Sequence, residues 1–426
     1  VSDTVSIAGK AQWLERPDIQ HLLAVLAEGG EEARVAGGAV RNTLLGEPVN
    51  DIDIATTTLP QSVMERCTAA GFETVPTGFE HGTVTVVSAG HAIEVTTLRA
   101  DVETDGRRAK VRFGRDWKAD AERRDFTINA LYADAAGKVY DPVGGLADIG
   151  RRQVRFIGDA ETRIREDYLR ILRFFRFFAH YGEGRPDATG LKACARLKQG
   201  IRNLSAERVW SETKKILGSR DPRRALLWMR QSGVLTITIP ESEKWGIDLI
   251  GRLYQAEQVQ GWQADALLRL EAIIPSDSER CAELAERLKL SKAEKARLTE
   301  WADCAEVPAH ISDSGLRQRL YISGIQPVQD RLRLSYARQL PASPGEAGVP
   351  AVDGRYGRLL DIAGKWKRPE FPLRGKDLAG LGIKQGPEMG RMLAKLEQEW
   401  VENDFSARRE QLVARAKMLI AGQETG

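Results

Sequence analysis

The sequence predicts an α+β protein in which a small mixed α/β segment comes first and a long, almost wholly helical remainder follows. Three observations carry this. Residues 35–58 run in strand, turn, helix, strand order; residues 83–98 hold two Val-, Ile- and Thr-rich runs about a short turn; and from Asp159 onward apolar residues recur at helical period.

Residues 1–33 read as an amphipathic helical lead-in whose apolar positions are Leu14, Ile19, Leu22, Leu23, Val25 and Leu26, packed against the first sheet and ended at Gly29-Gly30. Residues 34–36 read as a short buried strand. Gly37-Gly38 allow a tight turn free of Cβ clashes, and residues 39–45 form a helix ended by Gly46. Backbone N–H groups in such a turn can face an anion. The run Asp51-Ile52-Asp53-Ile54, taken as a strand, carries both carboxylates on one face and both isoleucines on the other. Thr58 opens a covering helix over residues 60–70, closed by Gly71. Residues 83–88 and 92–98 form an antiparallel hairpin about Ala89-Gly90. Glu94 is the sole acid of its strand, and is either a third carboxylate of a site or a solvent-facing residue on an amphipathic strand.

Residues 104–124 hold eight basic and four acidic side chains. This Gly-interrupted run reads equally as a mobile, solvated loop and, through Phe113 and Trp117 among the arginines, as a nucleic-acid contact; its most basic part is 107–115. Arg123-Arg124-Asp125, with Asn129, joins cations for phosphate to an acid and an amide suited to sugar hydroxyls, or else makes a salt-bridged helix start. Gly144-Gly145 ends the first domain.

Residues 162–181 read as one helix closed by Gly182, with Phe174, Phe177, Phe178 and Tyr181 as a core stripe. On another face Asp167 and Arg170 lie three apart, with Glu166 and Arg173 nearby; an intrahelical salt bridge is the structural alternative to a binding role. Residues 204–217 open with a capping box at Ser205 in which Arg208 fits poorly, and Glu207, Glu212 and Lys215 read as structural. Helices without a repeat fill residues 221–335, a Pro-, Gly- and Ala-rich linker follows at 340–357, and two Gly-rich turns flank a helix in 375–390. Lys376 and Lys384 stand beside those turns, placed either for RNA phosphates or by simple helix capping.

A chain of 426 residues has surface for two to four domains. No apolar run approaches the roughly 18 residues of a membrane span, and the N-terminal sequence lacks a secretory layout, so the expectation is a soluble, cytoplasmic protein. Cys67, Cys194, Cys281 and Cys304 are scattered without metal-ligand spacing and read as buried free thiols. With a net charge of only +3, an acidic partner such as RNA has to be met by local basic patches.

Two hard oxygen ligands beside a phosphate-cradling turn suit Mg²⁺ and a nucleoside triphosphate. Each motif alone is more often structural; in this order they point together to nucleotidyl transfer. A dinucleotide-binding oxidoreductase is disfavoured, because G-x-G-x-x-G is absent and D-x-D has no part in it.

On these motifs, ordered from Gly37 to Leu217, and on the closing G-K-D-L to G-P-E-M-G segment, the sequence resembles the bacterial class II tRNA nucleotidyltransferases (CCA-adding enzymes), a family that includes bacterial poly(A) polymerases. The resemblance implies a polymerase-β-like nucleotidyltransferase head with a mixed sheet (1–145), then all-helical neck (146–217), body (218–340) and tail (341–426). It implies that Gly37, Gly38 and Arg41 hold triphosphate, that Asp51 and Asp53 hold catalytic Mg²⁺ with Glu94 as a further catalytic candidate, and that Arg124, Asp125 and Asn129 bind ribose or phosphates. Asp167 and Arg170, with Arg173 beside them, would read the incoming base. The implied partners are CTP, ATP and the tRNA 3′ end, with Lys376 and Lys384 as candidate RNA contacts. Asn42 departs from the family, whose members usually have Asp there. Some members carry an HD phosphohydrolase domain; five His and no H-D pair here argue against that activity.

The template role has its own chemistry. Cytosine and adenine each set an exocyclic amino donor beside a ring-nitrogen acceptor, so a carboxylate next to a guanidinium complements both, whereas guanine and uracil present carbonyls. The expected reaction is attack of a terminal ribose 3′-hydroxyl on the α-phosphorus of CTP or ATP. The alternatives are a poly(A) polymerase, a CC- or A-only adding enzyme, and a non-catalytic RNA-binding protein.

Overall fold

The computed structural model describes residues 5–105, 108–243, 246–340 and 354–423. The chain forms two compact units, Val1–Pro240 and Glu241–Gly426.

In the first unit α1 (Pro17–Leu26) is followed by β1 (Ala33–Ala36), α2 (Gly38–Leu45), β2 (Asp53–Thr56), α3 (Pro60–Ala69), β3 (Glu73–Gly78), β4 (Thr83–Ser88) and β5 (His91–Thr97). Then come β6 (Arg99–Asp105), β7 (Arg108–Phe113), α4 (Trp117–Glu122), β8 (Tyr132–Ala133) and β9 (Val139–Tyr140). Seven strands make one mixed sheet in the order β3-β4-β5-β2-β1-β8-β9. The central β2 is antiparallel to β1 and parallel to β5. Its apolar face, with Val35, Ile54, Val84, Ile93 and Val95, buries Ile19, Leu22 and Leu23 of α1 and Val63 of α3, as alternation of apolar residues requires. The expected hairpin forms through a two-residue turn, Ser88 pairing with His91 while Ala89 and Gly90 take φ of 48° and 79°.

Several local expectations are overturned. The α-helical part of the lead-in is confined to α1: Pro17 stands at its start and Arg16 before it is extended (ψ 132°), while Ile7, Ala11 and Leu14 reach the core from turns and irregular chain. Thr58 does not cap α3: its hydroxyl donates to the Leu26 carbonyl, and Leu59 stands at the N-cap without a side-chain bond. Much of the basic run is not a loop, since β6 and β7 pair as a separate hairpin and α4 follows, capped by Asp116. Gly106 and Arg107 of that run lie outside the described residues. Its aromatic side chains are packed rather than offered to bases: Phe113 fills the space over Gly82, and Trp117 lies edge-on to Tyr132 beneath the Arg34 guanidinium, 4.1 Å away.

Past β9 come α5 (Gly145–Gly150), α6 (Ala160–Glu166), α7 (Leu169–Tyr181), α8 (Ala188–Leu197) and α9 (Ala206–Leu217). Gly144-Gly145 does not end the compact unit. A Cβ on Gly145 would meet the Thr127 carbonyl oxygen at 2.3 Å, so the glycine lets two backbones touch. The single helix expected over 162–181 is two helices, broken at Asp167, whose backbone is extended (φ −156°, ψ 107°) and whose Oδ1 accepts from the Leu169 N–H. A short polar side chain that binds its own backbone competes with the helix at that point. Ser205 occupies the N-cap of α9 without the expected side-chain cap bond.

In the second unit the described residues form helices, with one core around Leu316, Leu320, Leu332 and Leu359 and another around Leu378, Leu396 and Trp400. Residues 341–353 of the predicted linker lie outside the described residues. Lys376 and Lys384 are exposed in this unit. Arg297 serves several acids: it donates to Asp265 at 2.6 Å and Asp330 at 2.9 Å, while Glu271, fully buried, sits 3.9 Å from Nε with neither oxygen hydrogen-bonded. Burial, then the Asp330 carboxylate, pushes the Glu271 pKa well up. An unfolded Glu271 releases its proton near its ordinary value while the folded one keeps it. Stability therefore falls as pH rises from the ordinary carboxylate range toward the folded pKa, by up to about 1.4 kcal/mol per pH unit. Glu271→Gln should flatten that part of the melting-temperature profile; an unchanged slope would assign the proton elsewhere.

Candidate active site

The turn that opens the site follows from sheet geometry. β1 ends where Ala36 pairs with Asp53, and Gly37 (φ 66°) turns the chain sharply into α2. A Cβ at Gly37 would lie 3.2 Å from both Arg124 Nη1 and the Asn129 carbonyl, so the cradle is tight as well as left-handed. Because β1 offers no partner beyond that point, β2 begins at Asp53, and Asp51 lies in the irregular segment before it. The strand is thus shorter than predicted, but the predicted alternation holds: Ile52 and Ile54 are buried in the core, while Asp51 and Asp53 are exposed and line one cavity of about 710 Å³ together with Gly37 and Gly38.

Glu94 is the register partner of Asp53 across the parallel β2–β5 pair, although it is not among the cavity-lining residues. Burial, then Glu94, raises the Asp53 pKa; Arg124 opposes this and Asp51 adds to it. Among the described residues no hydrogen-bond donor pairs with the side-chain carboxylate of Asp51 or Asp53. Nor, among them, does any group of three or more His, Cys, Asp or Glu have the arrangement to hold a metal ion by itself. Two unpartnered carboxylates whose negative charges crowd one another fit an ion that takes one or two protein carboxylates and completes its shell with water and phosphate.

Opposite this pair lies a chain of hydrogen bonds. Arg173 binds Asp125 through Nε at 2.7 Å and Nη2 at 2.6 Å; Asn129 donates to Asp125 Oδ1 at 2.9 Å; and Arg41 Nη1 donates to Asn129 Oδ1. Although burial works the other way, Arg173 and the Asn129 bond hold the Asp125 carboxyl below its ordinary range. Arg124 is set by Asp120, which Tyr132 also hydrogen-bonds at 2.7 Å. Asn42, at the family departure, accepts from Arg41 Nε and Nη2 and donates to the Pro48 carbonyl at 2.7 Å. A carboxylate there could make the first contacts but not the last.

At the cavity's other side Asp167 and Arg170 do not pair with each other. Asp167 Oδ2 accepts from Arg208 at 2.7 Å, and Arg170 pairs with Glu166. The intrahelical salt bridge between them is thus absent, and both still line the cavity. Glu212, read as structural, is buried against Arg176 at 2.9 Å. Sequence reasoning missed several residues of the lining, Asn50, Leu169, Arg176 and Phe177 among them, and two are of particular interest. Tyr181, assigned to the core stripe, faces the cavity, as does Arg208, whose one signal was its misfit in the capping box.

The cavity lining combines seven arginines (41, 123, 124, 170, 173, 176 and 208) with four aspartates (51, 53, 125 and 167). That balance favours a polyanion such as a triphosphate while leaving one acidic corner for cations.

Comparison with known proteins gives matches along the chain. The family described as Poly A polymerase head domain matches residues 33–155, and the one described as probable RNA and SrmB-binding site of polymerase A matches 187–245. Mitochondrial CCA tRNA nucleotidyltransferase 1 of Mus musculus is 33% identical over 95% of this chain and 91% of its own length. The CCA-adding enzyme of Levilactobacillus brevis is 30% identical over 92% of this chain and 95% of its own. Among solved structures, the Bacillus stearothermophilus CCA-adding enzyme in complex with CTP superposes with a TM-score of 0.69 at 27% identity, covering 96% of this chain and 99% of that one. Among the described residues no helix is long and apolar enough to cross a membrane.

Proposed function

The chain belongs to the family of CCA-adding tRNA nucleotidyltransferases, and from that membership we propose how its residues carry out the family's reaction. The protein is an enzyme that adds C, C and A to the 3′ end of tRNA, taking CTP and ATP and releasing pyrophosphate. The observation that carries the assignment of roles is the meeting, in one cavity, of a carboxylate pair, a Gly-Gly turn with Arg41, and an Asp and Arg free of each other.

The 3′-oxygen of the tRNA forms a bond to the α-phosphorus as the bond to the departing pyrophosphate oxygen breaks. Gly37 and Gly38 let phosphate oxygens approach the backbone closely, and Arg41, Arg124 and Arg173 supply charge around them. Asp125 and Asn129 hold the ribose or phosphates in place. Asp167 accepts from the exocyclic amino group of cytosine or adenine while Arg170 donates to the adjacent ring nitrogen. Enzymes of this family use divalent metal ions, and Asp51 and Asp53 would hold Mg²⁺, with Glu94 shaping the field from the next strand. When bound, the ion acidifies the attacking hydroxyl and neutralises the leaving group.

The finer organisation proposed is head (1–145), neck (146–217), body (218–340) and tail (341–426), with Lys376 and Lys384 meeting tRNA phosphates. The first two parts fall in the first compact unit, and the body straddles the boundary after Pro240. A cytoplasmic site of action accords with four free, buried cysteines.

Incubation with labelled CTP and ATP and tRNA transcripts lacking CCA, CA or A tests the activity. Each should be completed to CCA and growth should stop there. An A tail growing past that length would favour the poly(A) polymerase reading, and failure to add A after CC would favour a CC-adding enzyme.

A further inference from the structure

Resting on Arg41 as a triphosphate ligand, we propose that Tyr181 is a positioning residue of the nucleotide site, which fixes the Arg41 guanidinium and leaves one of its N–H groups for a substrate oxygen. Arg41 is only 7% exposed, and among the described residues it has no ion-pair partner. Its hydrogen-bond partners are all neutral. Nε and Nη2 donate to Asn42 Oδ1 at 3.1 and 2.9 Å, Nη2 donates to the Tyr181 hydroxyl at 2.8 Å, and Nη1 donates to Asn129 Oδ1. A guanidinium has five N–H groups, so these four bonds leave one, on Nη1. The Tyr181 ring lies beneath the same guanidinium, 4.2 Å from its carbon to the ring centroid.

This is an unusual way to bury a cation. A buried charge normally needs a counter-ion, and here hydrogen bonds and a π face keep it ordered with no carboxylate in direct contact, the Asp125 charge acting on it only at a distance. A carboxylate in place of Tyr181 would order the side chain equally well and cancel that charge. Tyr181 is also the last residue of α7, whose first turn carries Arg170. One helix thereby presents a base-reading residue at one end and the Arg41 clamp at the other, both on the same cavity.

Tyr181→Phe keeps the ring and removes the hydroxyl; Tyr181→Leu removes both. With tRNA saturating, the KM for CTP and for ATP should rise roughly three- to tenfold in the Phe variant, the scale of one ordinary intramolecular hydrogen bond, and further in the Leu variant. kcat and the KM for tRNA should stay close to wild type, even where the loss of an acceptor for the buried guanidinium lowers the melting temperature. A side chain that only fills core would lower the melting temperature and leave nucleotide KM unmoved, and that result overturns the proposal. If the Leu variant does not fold, the Phe variant decides by the same criterion. Wild-type protein that incorporates neither nucleotide would sink the assigned activity itself, whereas active wild type with unshifted nucleotide KM in the variants sinks only the role of Tyr181.

Discussion

Asp53→Ala should lower nucleotide incorporation by roughly a thousandfold or more, the several kcal/mol expected when a ligand of a catalytic ion is lost. Asp53 is the residue at which three lines of geometry meet. It starts β2, it pairs in register with Glu94, and it shares the cavity wall with Asp51. The fold gains little from its charge: burial and the Glu94 and Asp51 carboxylates push its pKa up, more than Arg124 pulls it down, so the ionised side chain is on balance disfavoured in the folded protein. Replacing it should leave the melting temperature at neutral pH at or above that of wild type. Binding of tRNA measured without divalent ions should also survive, because removal of a negative charge then does not weaken the attraction of a polyanion. Incorporation within about threefold of wild type would remove Asp53 from the catalytic centre, since a lost ion ligand cannot cost so little. A variant that melts earlier and loses tRNA binding in parallel would make Asp53 structural.

What the sequence made legible, and what it did not, divides along a physical line. Local signals served well where the backbone itself decides: Gly37, Gly46 and Gly90 take positive φ at the turns expected of them, and β4 and β5 form where Val, Ile and Thr cluster. They failed where a side chain chose a distant partner. Thr58 could cap α3 or reach Leu26, and only the packing of α1 decides in favour of the latter. Asp167 is a permissible helical residue by propensity, and the break there depends on its bond to the Leu169 N–H and on Arg208, 41 positions away. Tyr181 fitted the apolar stripe of its helix, and its hydroxyl found a guanidinium 140 positions away. The basic run around residue 108 was dominated by charge, which masked the alternation that pairs β7 with β6. The carboxylates, the glycines and the arginines at 41, 124, 170 and 173 could be placed on the cavity because their motifs are local; Arg208 and Tyr181 could not, because their part in it is tertiary.

The break at Asp167 changes what its substitution should do. On one unbroken helix, Asp167 and Arg170 would satisfy each other, and the template chemistry would compete with a salt bridge. In the folded protein Asp167 spends Oδ1 on the Leu169 N–H and Oδ2 on Arg208, while Arg170 is held by Glu166 and by the Arg163 carbonyl at 2.8 Å. A carboxylate has about four acceptor positions, so lone pairs remain on Asp167 for the exocyclic amino group shared by cytosine and adenine. Asp167→Ala should therefore lower kcat/KM for CTP and ATP together, by roughly ten- to a hundredfold, as one lost contact of ~1 to 3 kcal/mol in a desolvated pocket predicts. UTP and GTP, whose carbonyl oxygens meet repulsion from the carboxylate, should lose nothing or gain, so the preference among the four nucleotides narrows. Some stability should go as well, because Arg208 and the first turn of α7 each lose an acceptor. The two effects separate when kcat/KM for all four nucleotides is measured beside the melting temperature. A destabilised variant that still ranks the nucleotides in the wild-type ratio would show that Asp167 serves only to join α7 to Arg208, and base reading would then have to lie elsewhere in the cavity.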